Sequence, residues 1–171
     1  MNRRLDRWRH QAGLTLIELL IALVIVGTLA AVGIPGYLGF LQRAREVMII
    51  QYLREVHNGQ VSWRIETDET EFTGDFDELE ETGFIPGGTN FVKARTRVPK
   101  KKGGASKTTS ARIVGTYQLN LTATTSSASA TYQLTASPQN RSPNVRWFYV
   151  DQTGVIRAAT GFAGPGAPPL P

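Results

Sequence analysis

Glu18 sets the chemical question. It is the only charged side chain in the run 13–37, GLTLIELLIALVIVGTLAAVGIPGY. On insertion scales an acid at the centre of a membrane helix costs about 2.5–3.5 kcal/mol. A carboxylate kept there is by default a functional-site hypothesis, against which stand a side chain that reaches back to the membrane edge and a protonated one. Elsewhere the side chains that carry chemistry are sparse. His10 lies in an arginine-rich start and His57 in a long helical pattern, so a histidine-based triad cannot draw on both, and no zinc spacing or phosphate loop is visible. Asp75, Asp77 and Glu78 gather three carboxylates on an expected surface turn. Calcium is the ion that such oxygen donors would suit, and whether it binds stays open; no other metal and no cofactor is implied. Cysteine is absent, which excludes disulfides, thiolate sites, thiol nucleophiles and a lipoprotein-type anchor. The chain is expected not to be an enzyme.

The elements that position Glu18 begin with a basic leader. Residues 1–13, MNRRLDRWRHQAG, have the composition of a targeting or cytoplasmic segment. From 14 to 34 the side chains are apolar or small except for Glu18 and two threonines, and as a helix these positions span roughly 30 Å, the thickness of a hydrocarbon core. The membrane-spanning part is read as 14–36. Pro35 removes a backbone donor, and Gly33, Gly36 and Gly39 lower helix propensity around it, so Gly33, Pro35 and Gly36 form an expected joint. Beyond it Phe40, Ala44, Val47, Ile50, Leu53 and Val56 make an apolar stripe. The helix is expected to run from 14 to about 65. The remaining hundred residues cannot bury an element of that length, so its first half must be covered by lipid or by other copies of the chain.

Charge is distributed unevenly over the rest. Of the formal net charge of +5, Arg3, Arg4, Arg7 and Arg9 against Asp6 place +3 in the leader, and the excess therefore gives no support for a nucleic-acid partner. Positions 66–81 hold nine acidic residues and no basic one, and 93–112 hold eight basic residues and no acidic one. Pairing of the two between neighbouring copies competes with two solvated loops. A short helix is expected at 75–82, closed by Gly83 and anchored by Phe72, Phe76, Leu79, Phe84 and Ile85. Strand character appears at 90–98, 112–122, 129–136, 145–150 and 155–158, with polar loops at 100–110 and 124–127 and a hairpin turn at 151–154. The last ten residues, 162–171, read as a flexible tail. The expected fold is α+β, a long N-terminal helix whose amphipathic half packs on an antiparallel sheet in a head spanning 66–161.

The run Gly13-Leu-Thr-Leu-Ile-Glu18, then an apolar stretch with Gly27 and Ala30-Ala31, then Pro35-Gly-Tyr37, resembles the N-terminus of type IV pilins and pseudopilins, a class III prepilin-type sequence. The resemblance covers about 25 residues, with the head similar only in plan, and its motif is specific. It implies that a membrane-embedded prepilin peptidase cuts between Gly13 and Leu14 and methylates the new amino group of Leu14, where the family usually has Phe. It also implies homopolymerisation in which the Leu14 ammonium of one copy meets Glu18 of the next, so that each buried charge finds its opposite.

On this resemblance the chain is a structural subunit of a type IV pilus. It is held in the inner membrane as a single-pass protein with an exported head, assembled by the inner-membrane pilus machinery, and extracellular afterwards. A pseudopilin of type II secretion shares the same N-terminus. The competing reading from another class is an exported soluble β-rich binding protein, since Ala31-Val32-Gly33 also offers a secretory cleavage site before Ile34.

Overall fold

The computed structural model describes residues 14–66, 71–87, 91–94, 106–125, 130–140 and 145–170. The leader 1–13, with Gly13, lies outside them, as do 95–105 in the basic stretch and 126–129 in the second expected loop. The chain divides into two compact units, one ending at Gln42 and the other spanning Arg43–Pro171; each is described by itself.

One helix, α1 (Leu16–Glu66), has 51 residues and a length of about 76 Å at 1.5 Å per residue. Up to Gln42 it is built mainly from Leu, Ile, Val and Ala, and nearly every side chain on it is exposed, with Leu16 at 83% and Val32 at 82%. A contiguous apolar surface of this size marks a region that is covered by something else in use. By length and composition the helix can cross a membrane. It continues through Pro35 and the flanking glycines as a single helix.

The second unit joins the rest of α1 to a short helix, α2 (Phe76–Glu81), and six strands: β1 (Phe91–Ala94), β2 (Ser106–Val114), β3 (Tyr117–Thr125), β4 (Ala130–Pro138), β5 (Arg146–Asp151) and β6 (Arg157–Thr160). They form one sheet in the order β1-β2-β3-β4-β5-β6, and every neighbouring pair is antiparallel. The fold is α+β. Alternation places Leu119, Leu121, Tyr132, Leu134, Ala136, Phe148 and Val150 on one face, where they pack with Ile49, Tyr52, Leu53 and Val56 of α1. The expected anchors Phe72, Phe76, Leu79 and Ile85 are buried in the same core, and Phe84 packs against it.

The buried face of α1 is rotated from the expected stripe. It consists of Glu46, Ile49, Tyr52, Leu53, Val56, Gly59 and Gln60, while Val47 remains 54% exposed. Glu46 and Gln60 occupy core positions because each has a partner there: Glu46 Oε2 accepts from Arg146 Nη2 at 2.6 Å and Nε at 3.0 Å. Gly59 is a point of close approach, since a Cβ there would stand 2.9 Å from Ile85 Cγ2.

Three further expectations are corrected. The stretch 112–122 is two strands, because Gly115 adopts φ 58° and Val114 pairs with Tyr117 across a two-residue hairpin. Residues 106–110, expected in a loop, open β2. Their polarity serves the segment before α2: Ser110 Oγ donates to Gly74 O at 2.7 Å and accepts from Phe76 N at 3.1 Å. The expected flexible tail lies along β6 instead. Ala158 N donates to Pro168 O at 3.1 Å, Leu170 N to Ile156 O at 2.9 Å, and Ala163 is buried. Its prolines fix φ in the extended range, so less chain entropy is lost on docking.

Gln60 shows how the segment before α2 is held. Its amide donates to Thr73 O at 2.6 Å and accepts from Thr73 N at 3.2 Å, both buried. Gln60→Leu strands one donor and one acceptor of Thr73, and each such buried loss costs about 1–3 kcal/mol. The expected result is destabilisation of about 2 kcal/mol in thermal melts, with faster hydrogen exchange at the Thr73 amide.

Candidate functional site

Thr15 precedes the first residue of α1, and Glu18 lies in its first turn. Glu18 Oε2 accepts hydrogen bonds from the Thr15 backbone N–H at 2.9 Å and from its hydroxyl at 2.8 Å, and Thr15 Oγ1 accepts from the Glu18 N–H at 3.3 Å. This is a capping box, in which two donors of the helix start are satisfied reciprocally. Leu14, 75% exposed, stands immediately before it. Residues 14–18 thus bring a carboxylate, its two local donors and the candidate new N-terminus into one turn. Thr15 joins the site residues named from the sequence, and the Thr-x-x-Glu spacing is its signal there.

Gly33, Pro35 and Gly36 lie within α1, and a Cβ at Gly33, Gly36 or Gly39 would meet nothing within 4 Å. Small side chains there leave helix surface that another helix can approach closely. In the second unit, Asp75, Asp77 and Glu78 have other work: Asp75 caps α2 by accepting from Asp77 N at 3.0 Å, Asp77 lies 3.5 Å from Arg112, and Glu78 accepts from the Thr73 hydroxyl. Among the described residues no group of three or more His, Cys, Asp or Glu side chains is placed to hold a metal ion.

His57 is also engaged in the head. Its Nδ1 lies 2.5 Å from the Tyr132 hydroxyl, in a hydrogen bond whose donor is set by the imidazole tautomer, and burial raises the pKa of that phenol, so the hydroxyl keeps its proton. Burial holds the His57 pKa below its ordinary value, against the opposing charge of Asp151. A group whose folded pKa is depressed contributes its full stability above the unfolded value, near 6.5 for histidine, and loses that contribution as pH falls through the folded value. The melting temperature is therefore expected to drop on acidification below about pH 6.5, and to drop less in His57→Gln, measured by circular dichroism across a pH series.

Residues 8–34 match the family model of the prokaryotic N-terminal methylation motif, a span that contains the Leu14, Thr15 and Glu18 turn. The chain is similar to the type IV wide pilus major component PilA4 of Thermus thermophilus, 38% identical over 60 residues. The match covers 35% of this chain and 46% of that protein, so it spans less than half the relative's length. No solved structure matches the chain. A methylation motif, a pilin relative and an α+β layout that opens on a long apolar helix together make the chain similar to the type IV pilins through its N-terminal segment.

Proposed function

We propose that this chain is a structural, non-enzymatic subunit of a type IV pilus. The observation that carries the reading is the turn at residues 14–18, where a single carboxylate in an apolar run faces the helix start. Similarity to a wide-pilus component favours a pilus over a secretion pseudopilus. In this reading a prepilin peptidase cuts between Gly13 and Leu14 and methylates Leu14. Before assembly the first part of α1 rests in lipid of the inner membrane, with the head on the exported side. The assembly machinery then transfers the subunit into a homopolymer exposed outside the cell.

Cleavage turns Leu14 into an ammonium within apolar surroundings. Glu18 of a neighbouring copy neutralises it, which couples subunit addition to relief of the desolvation penalty and fixes axial register. Gly33, Pro35 and Gly36 act as the joint at which the helix adjusts when copies pack, because a proline and two glycines weaken its hydrogen-bond ladder.

Mass spectrometry of the mature N-terminus tests the reading. A chain beginning at methylated Leu14 is expected; a chain beginning at Ile34 would make it an exported soluble protein and end the pilus assignment.

A further inference from the structure

A strand at the edge of a sheet presents a row of unpaired N–H and C=O groups, which is a template for pairing with another chain. β6 stands last in the strand order, with β5 on one side. Its other side is filled by the chain's own C-terminal residues. Ala158 N donates to Pro168 O at 3.1 Å and Leu170 N to Ile156 O at 2.9 Å, around an antiparallel bridge between Arg157 and Pro169. Arg157 Nη1 adds a bond to Ala167 O at 3.0 Å. The segment is pinned at both ends, because Ala163 is buried and Leu170 packs against the core. What it presents outward is poor in donors: Ala167 N is already bonded to Gly164 O at 3.0 Å, and Pro169 has no N–H.

We propose that residues 163–170 are a strap that covers the β6 edge and so denies it to a second copy of the chain. An open antiparallel edge carries alternating donors and acceptors that match their own image across a twofold axis, which makes a second copy the occupant that fits it. The buried core is drawn from α1, the segment around Phe72, α2 and strands β2 to β6, with Leu170 packed on its outside, so the sheet beneath the strap is complete without it. Tethering lets a weak segment suffice, since a short linker holds it at an effective concentration in the millimolar range. The strap concerns the head alone and does not rest on the pilus reading.

The intact chain in detergent is compared with the double variant Ala163→Asp, Leu170→Asp, which places a charge at each pinned end of the strap. At dilution the Ala158 amide is expected to exchange about tenfold faster or more in the variant, as loss of its hydrogen bond implies, with the near-UV circular dichroism unchanged. On concentration the variant is expected to associate about tenfold or more tightly than the parent in analytical ultracentrifugation. A peptide of residues 161–170, GFAGPGAPPL, at about 1 mM is expected to return it to the parent state. The same peptide N-methylated at Leu170 cannot donate to Ile156 O and is expected to fail. An Ala158 amide freed without added association overturns the proposal, as does association that neither peptide reverses or that both reverse equally. Protection retained at Ala158 means that these ends do not hold the segment, and a lost near-UV signal means that it belongs to the core; either result overturns the strap as well.

Discussion

Replacing Glu18 with alanine or valine is expected to remove filaments from the cell surface while cleavage and methylation of the chain continue. In the proposed function the peptidase acts on the bond between Gly13 and Leu14, and Glu18 follows that bond four residues after Leu14 in the sequence. Assembly is different in the proposed function, because there the Leu14 ammonium enters an apolar environment whether or not an anion waits for it. Breaking a buried pair by removing one partner costs about 3–5 kcal/mol, since the other charge stays uncompensated. That is more than a hundredfold in the equilibrium for each subunit added, and a filament repeats the step at every subunit. Sheared surface fractions, examined by electron microscopy and immunoblot, should therefore lack the variant, while the membrane fraction contains mature, methylated chains. Filaments in normal number would show that the carboxylate has no part in addition.

The parts of the molecule that could be read from the sequence are those governed by local patterning. The run from Leu16 onward is apolar at every turn, and the structure makes it a helix long and apolar enough to cross a membrane. Asp75 and Gly83 punctuate α2 as a cap and a left-handed stop. Asp151 and Gly154 do the same for the β5–β6 turn, where Gly154 has φ 73° and its N–H reaches Asp151 O at 2.9 Å. What escaped was decided by partners distant in sequence. Ser106 to Ser110 looked like loop because they are polar, yet β3 pairs with them and Ser110 holds the segment before α2. Glu46 and Gln60 lie on the buried face of α1 because Arg146 and Thr73 supply partners; a hydrophobic pattern cannot see that compensation and so places the face a notch away. At the site the order is reversed: Glu18 stands out by its cost, whereas Thr15 carries no such signal in composition although it makes two of the bonds that orient the carboxylate.

Arg112 gives the second large expected effect, and an asymmetric one. Its guanidinium is 1% exposed, lies 2.5 Å from Glu80 Oε2 and 3.5 Å from Asp77 Oδ1, and Nη1 donates to the Tyr52 hydroxyl at 3.2 Å. The carboxylates are about a third exposed, at 30% for Glu80 and 33% for Asp77. Removing the cation and removing the anions should then differ in cost. In Arg112→Met a flexible apolar side chain refills much of the space over Phe76, and Glu80 and Asp77 turn to water, so the expected loss is about 1–2 kcal/mol, mainly from the donor removed from Tyr52. In the double variant Asp77→Asn with Glu80→Gln, the buried guanidinium keeps its charge and loses both counter-charges, and a stranded ion of that kind costs about 3–5 kcal/mol. Thermal unfolding of the detergent-solubilised chain should rank the double variant well below Arg112→Met. Adding Arg112→Met to the double variant should restore stability, because the buried charge that had lost the Asp77 and Glu80 carboxylates is gone. Equal melting temperatures for the two would mean that the cluster is solvated and that the acidic and basic stretches of the sequence contribute to the head only as surface.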